Sequence, residues 1–101
     1  MDIELLWFSG CPNWQVTDER LRRALAVAGI DAEVVLVEVT TPDDADRRRF
    51  RGSPTVLVNG EDPFADESDP VGLSCRVFQT PDGLRGAPTV DQLVAVLQGA
   101  A

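Results

Sequence analysis

Two cysteines are the residues of this chain best suited to covalent chemistry. The sequence of 101 residues contains Cys11 and Cys75 but no histidine, no lysine and no tyrosine. Without histidine, a Ser-His-Asp triad, a Cys-His dyad and a zinc site with histidine ligands are all excluded. Two cysteines are also too few for a four-cysteine metal cluster or a framework of several disulfides. Thiol chemistry at these two positions is therefore the first hypothesis.

The length and the charge of the chain limit the kinds of protein that it can be. A chain of 101 residues with 44% hydrophobic and 26% charged residues suits one compact globular domain. Its formal net charge of −8 is unfavourable for binding nucleic acid or an anionic membrane surface. The acidic start does not fit a signal peptide, and no stretch reaches the roughly 20 apolar residues of a membrane helix. We therefore expect a cytoplasmic protein whose thiols are mostly reduced unless redox chemistry is their function.

Cys11 lies where a predicted strand meets a predicted helix. Residues 3–8 form a short apolar run, and a helical pattern extends from about residue 12 to residue 28. Pro12 suits the first turn of this helix, and Gly29 suits its end. The free N–H groups and the dipole at a helix start stabilise a thiolate, so we expect the pKa of Cys11 to lie below that of free cysteine. The alternative is a buried structural cysteine that acts as a small hydrophobic residue.

The remaining elements complete a small α/β domain. Residues 33–39 hold four consecutive aliphatic residues, which predicts a strand covered on both faces. Thr41 caps a second helix that ends near Phe50, and Thr89 caps a last helix. Two further strands are predicted at residues 56–58 and 75–79, separated by an acidic loop at residues 61–74. The predicted order is β-α-β-α-β-β-α, with a four-stranded mixed sheet and helices on both faces.

A second segment, Ser53-Pro54-Thr55, precedes the third predicted strand. Together with Cys11 at a helix start, this layout resembles the thioredoxin-like superfamily. The run from Arg51 to Thr55 is similar to the Arg-Gly-x-Pro-Thr stretch of thioredoxin, and Cys11-Pro12 is similar to the start of the Cys-Pro-Tyr-Cys motif of glutaredoxin. The resemblance spans nearly the whole chain in element order.

This resemblance implies roles for particular residues. Cys11 would be the nucleophile, and Pro54 would be a cis proline beside it. The substrate would bind along the segment around these two residues, which comprises Pro12, Trp14, Ser53, Pro54 and Thr55. The implied substrate is a protein or a low-molecular-weight disulfide or thiol, with no bound cofactor and with glutathione as a possible co-substrate. More narrowly, the motifs resemble small bacterial thioredoxin-like proteins, some of which carry an alkylmercury-lyase label.

The pattern departs from the family at Trp14, which stands where thioredoxins carry their second cysteine. Three consequences stay open: Cys11 acts alone with an external thiol, Cys75 resolves the mixed disulfide, or the domain has become a redox-inactive module that binds a partner. Soft-metal capture by Cys11 and Cys75 is a further alternative. An antiparallel fourth strand would place Cys75 far from Cys11, as a core cysteine, unless the loop of residues 61–74 wraps back.

The charged clusters have simpler interpretations. Arg47, Arg48, Arg49 and Arg51 are interpreted as a solvated helix end, with binding of an anionic group such as a glutathione carboxylate as the alternative. Asp62, Asp66, Glu67 and Asp69 lack the spacing of a calcium loop, so the sequence predicts a solvated loop there.

Overall fold

The computed structural model describes residues 1–100 as an α/β domain. Three helices and five strands occur within those residues. Their order is β1 (Ile3–Trp7), α1 (Asn13–Ala28), β2 (Val34–Glu38), α2 (Pro42–Arg48), β3 (Thr55–Val58), β4 (Phe78–Thr80), β5 (Gly83–Arg85) and α3 (Val90–Ala100).

Strand β1 is the centre of a three-stranded mixed sheet in the order β2-β1-β3. It pairs in parallel with β2 and antiparallel with β3, so that Leu5 lies opposite Leu36 on one side and Val56 on the other. Strands β1 and β2 are parallel because helix α1 returns the chain to the end of the sheet at which β1 begins. Cys11 lies four residues after the last residue of this central strand, Trp7.

Apolar residues are buried on both faces of the sheet. One cluster joins Leu5 to Leu21 of α1 and Leu93 of α3, and the opposite cluster contains Leu6 and Ala45 of α2. Helices therefore cover both faces, which confirms this part of the predicted architecture.

Local sequence signals set the ends of the first two helices. Pro12 is the N-cap of α1, and Gly29 ends this helix in a left-handed conformation at φ 69°. At α2, the Thr41 hydroxyl accepts a hydrogen bond of 3.0 Å from the Asp44 N–H. These observations confirm the predicted helices, because capping side chains and a glycine stop act within a single turn.

The prediction of a four-stranded sheet is wrong. Strand β4 begins at Phe78 instead of Cys75, and it pairs only with β5, in a separate hairpin. Cys75 forms one isolated bridge with Ser53, two residues before β3, and Glu61 forms another with Val58 at the end of β3. The segment around Cys75 therefore makes a single bridge before β3 and forms no ladder with this strand.

The prediction that the second strand is covered on both faces is also wrong. Val34 is buried, but the next two residues, Val35 and Leu36, are 52% and 43% exposed. Strand β2 is an edge strand, and the nearby helix α2 has only seven residues. Its aliphatic run reflects strand propensity more than burial.

None of the helices within residues 1–100 has the length and apolar character needed to cross a membrane.

Candidate redox site at the Cys11–Cys75 disulfide

Cys11 and Cys75 form a disulfide. Their Cα atoms are 5.6 Å apart although 64 positions separate them in the sequence, and this distance is ordinary for a disulfide. The acidic loop therefore does wrap back to the Cys11 end of the sheet. The interpretation of Cys75 as an unbonded core cysteine at the start of a strand is wrong.

The two cysteines differ in their exposure to solvent and in the secondary structure around them. Cys11 lies between β1 and α1, is completely buried, and donates its backbone N–H to the Phe8 carbonyl at 3.1 Å. Cys75 is exposed and lies outside every helix and strand of residues 1–100. An incoming reagent would therefore meet Cys75 before Cys11.

Ser53 holds the backbone on both sides of Cys75. Its N–H donates to the Ser74 carbonyl at 2.7 Å, and its carbonyl accepts from the Arg76 N–H at 2.9 Å. The Ser53 hydroxyl accepts a third hydrogen bond, of 3.1 Å, from the Phe8 N–H at the end of β1. One residue thus joins the segment that carries Cys75 to the strand that leads to Cys11.

Gly52 allows the two segments to approach closely. Its φ is 109°, a conformation that other residues rarely adopt. A Cβ atom at this position would lie 3.1 Å from both the Arg76 Cβ and the Ser74 carbonyl oxygen. Any larger residue would therefore push the Cys75 segment away from Ser53.

A buried ion pair fixes the chain directly after Cys75. The Arg76 guanidinium donates two hydrogen bonds to the Asp62 carboxylate, at 2.7 and 3.3 Å, and lies 4.7 Å from the centre of the Phe78 ring. The exposed fractions of the Arg76 and Asp62 side chains are only 4% and 10%. The prediction of a solvated acidic loop is therefore wrong for Asp62, because the loop folds over this arginine.

The predicted basic cluster lies mainly at the end of α2. Arg47 and Arg48 both form ion pairs with Asp44 one turn earlier. Arg51 instead donates to the backbone carbonyl of Asp66 at 2.6 Å, which attaches the acidic loop to the start of the segment that leads to Ser53.

The residues predicted to bind substrate have different environments. Pro12 is exposed, whereas Ser53, Pro54 and Thr55 are buried, and the Ser53–Pro54 peptide bond is cis. The Thr55 hydroxyl donates to the Gly52 carbonyl at 2.7 Å and so is turned to its own backbone. Of these residues, the structure brings the Ser53 backbone against Cys75 and leaves Pro12 open to solvent.

Trp14 packs on another aromatic ring. Its ring is half-buried and stacks on Trp7, with the ring centres 4.5 Å apart. The first turn of α1 thus carries a large apolar side chain at the position where thioredoxins have a second thiol.

Asn13 is the polar side chain that contacts the Cys11 sulfur. Its Nδ2 lies 3.7 Å from the Cys11 Sγ and can donate a hydrogen bond to it. Helix α1 begins at this residue, has no side-chain cap and has no acidic residue in its first turn. The free backbone N–H groups of a helix start favour a negative charge nearby, so both features would stabilise a Cys11 thiolate if the disulfide were reduced.

Sequence reasoning missed two residues of this site, Asn13 and Arg76. Asn13 could have been found from its place two residues after Cys11, at the helix start. Arg76 gave no such signal, because its role depends on Asp62, 14 residues away in the chain.

Comparison with known proteins gives the family. The sequence model of the family described as thioredoxin domain matches residues 1–65. The chain belongs to this family. The matched residues of this chain include Cys11 and the segment Ser53–Pro54–Thr55, but they end before Cys75. No curated protein and no solved structure matches the chain.

Proposed function

We propose that this protein is a thiol–disulfide oxidoreductase whose redox pair is Cys11–Cys75. The observation that carries the proposal is the disulfide itself, which joins a buried cysteine before a helix start to an exposed cysteine on a loop. Membership of the thioredoxin domain family supports the same chemistry. The second cysteine of this pair lies on a distant loop, and Trp14 occupies the position at which thioredoxins carry theirs.

The oxidised protein is reduced through Cys75. A thiolate from a small thiol attacks the Cys75 sulfur, a new S–S bond forms, and the bond to Cys11 breaks with its electron pair on Cys11. A second thiolate then attacks the external sulfur of the mixed disulfide and releases Cys75 as a thiolate. In total, two external thiols become one disulfide, and the protein disulfide becomes a dithiol.

This order reverses the roles that the family resemblance implies. Attack on Cys11 would require access to a sulfur that is completely buried, whereas Cys75 is exposed. Cys11 is also the better leaving group, because the Asn13 amide and the start of α1 stabilise its thiolate. In the opposite direction, Cys75 attacks a substrate disulfide, and Cys11 then attacks Cys75 to release the reduced substrate.

Single-cysteine variants test both the function and the order. We expect Cys11→Ser to form a mixed disulfide with a small disulfide such as hydroxyethyl disulfide, because Cys75 stays exposed. We expect Cys75→Ser to react at least about tenfold more slowly, because access to Cys11 requires local opening. Mass spectrometry of the intact protein measures both rates. Equal rates for the two variants would overturn the assigned order.

A second candidate is a partner-binding module in which the disulfide is structural, and the complete burial of Cys11 favours it. The two candidates differ in how the wild-type disulfide responds to dithiothreitol. An oxidoreductase exchanges its disulfide while folded and catalyses turnover of a small disulfide. If reduction occurs only under conditions that unfold the protein, the oxidoreductase proposal is wrong and the structural role stands.

A further inference from the structure

A cavity lined by arginines adjoins Asn13, the residue whose amide contacts the Cys11 sulfur. It has a volume of about 480 Å³ and lies between α1 and the chain from β5 to the start of α3. Its charged lining residues are Arg20, Arg23, Arg85 and Asp82. Three cations therefore face one anion here, although the chain as a whole carries a net charge of −8.

The arginines keep hydrogen-bond donors free for a ligand. Arg20 and Arg85 each donate from Nη1 to one backbone carbonyl at 2.9 Å, and neither forms an ion pair within residues 1–100. Arg23 is 3.9 Å from the carboxylate of Glu19 and is largely exposed. Because a guanidinium has five N–H donors, most of this capacity is available.

Asn13 connects this cavity to the redox pair. Its side chain lines the cavity, and its Nδ2 lies 3.7 Å from the Cys11 sulfur. Neither cysteine lines the cavity, so a ligand bound there is one residue, Asn13, away from the Cys11 sulfur. The segment from Ser53 to Thr55 does not line this cavity, so the site is separate from the segment that the family motifs indicate.

We propose that this cavity binds the carboxylate group of a small anionic disulfide or thiol, and so selects the substrate of the redox pair. The proposal rests on the proposed function and adds a substrate class to it. Guanidinium groups pair with carboxylates through charge-assisted hydrogen bonds, and the volume lies within the usual range for small-molecule sites. The covalent steps are those already described, with the anionic thiol as reductant or the anionic disulfide as oxidant.

Three small disulfides of different charge test the proposal. They are dithiodipropionate, which is anionic, hydroxyethyl disulfide, which is neutral, and cystamine, which is cationic. The net charge of the chain alone would favour cystamine and disfavour the anion. The proposal instead predicts that kcat/KM for dithiodipropionate exceeds that for hydroxyethyl disulfide by at least about threefold.

Neighbouring arginines provide the matched variants. Arg23→Gln and Arg85→Gln should each lower the ratio of kcat/KM for dithiodipropionate to kcat/KM for hydroxyethyl disulfide about threefold, as expected for an exposed ion pair. Arg22→Gln is the control, because Arg22 is also on α1 and exposed but does not line the cavity. Thermal unfolding of each variant checks that the fold is retained.

A binding measurement separates this proposal from the redox function. Suberate has the chain length of dithiodipropionate but no sulfur, so its binding to the oxidised protein, followed by calorimetry, needs no exchange. We expect weaker binding in Arg23→Gln and Arg85→Gln and unchanged binding in Arg22→Gln. The substrate class would be wrong if turnover showed no preference for the anionic disulfide, or if suberate bound equally well to the wild type and to these variants. Neither result would contradict the redox function. Failure to turn over any disulfide would overturn both.

Discussion

The two halves of the disulfide are held by different kinds of structure. Cys11 is fixed by neighbours in sequence, because β1 ends just before it and α1 begins just after it. Cys75 has no helix or strand of its own and depends on contacts with Ser53 and on the Arg76–Asp62 ion pair. Regular secondary structure therefore positions one sulfur, and long-range contacts position the other.

This difference indicates where the reduced protein changes most. Backbone hydrogen bonds within a sheet and a helix protect the Cys11 side, whereas a loop with few such bonds opens more readily. We therefore expect the Cys75 side to move when the disulfide is reduced, and the Cys11 side to stay in place. The following predictions test this contrast, from the largest expected effect to the smallest.

Removal of the Arg76 charge should have the largest effect on stability. Arg76→Met leaves the Asp62 carboxylate largely buried without its partner, which costs about 3 kcal/mol. Urea unfolding of the reduced protein measures this loss, and re-formation of the disulfide should also become slower. Arg22→Met is the control, because Arg22 pairs with Asp18 at the surface and should lose less than about 0.5 kcal/mol. Equal losses in both variants would show that the Cys75 side does not depend on the ion pair.

Removal of the Asn13 amide should affect only the Cys11 side. In a Cys75→Ser background, Asn13→Ala should raise the pKa of the Cys11 thiol, because the thiolate loses a hydrogen-bond donor. The ultraviolet absorbance of the thiolate, followed against pH, measures the shift without requiring access to the sulfur. Gln15→Ala, at an exposed position of α1, is the control. A pKa that stays constant in Asn13→Ala would assign thiolate stabilisation to the helix start alone.

Low pH should destabilise the part of the acidic loop around Asp66. Hydrogen bonds from the Ser68 N–H and hydroxyl, together with Arg51, hold the pKa of Asp66 below its ordinary value. A lowered pKa means that this contribution to stability is complete above the ordinary value of about 4 and is lost as pH falls through the folded-state pKa. The protection factor of the Ser68 amide, which compares the intrinsic exchange rate at each pH with the rate measured by NMR, should therefore fall only in this acidic range. The same experiment on Asp66→Asn should show no such pH dependence.

The same difference between local and long-range contacts decides which features could be predicted from the sequence. Helix α2 was predictable because Thr41, Pro42 and Asp44 act within one turn. Membership of the thioredoxin family was predictable from Cys11 and the Ser53-Pro54-Thr55 segment, which the family match contains. Each of these signals is carried by residues close together in the chain.

The disulfide could not be decided from the sequence for the opposite reason. Cys75 is held near Cys11 by contacts across the loop, which include the ion pair of Arg76 with Asp62 and the approach of the Cys75 segment to Gly52. Sequence reasoning extended a strand through Cys75 because Val77 and Phe78 are typical strand residues. In the structure the strand begins only at Phe78, and the preceding residues dock on Ser53 instead.

The disulfide also closes part of the chain into a covalent ring, which leaves β1 before the ring and a tail after it. The ring runs from Cys11 to Cys75 and includes α1, β2, α2 and β3, whereas β4, β5 and α3 follow it. Closing a ring of this length lowers the entropy of the unfolded chain, which stabilises the folded protein by about 4 kcal/mol. The tail receives no such constraint, although α3 supplies Leu93 and Leu97 to the main core. Oxidation therefore secures the ring covalently, while the last helix is held by apolar burial in both redox states.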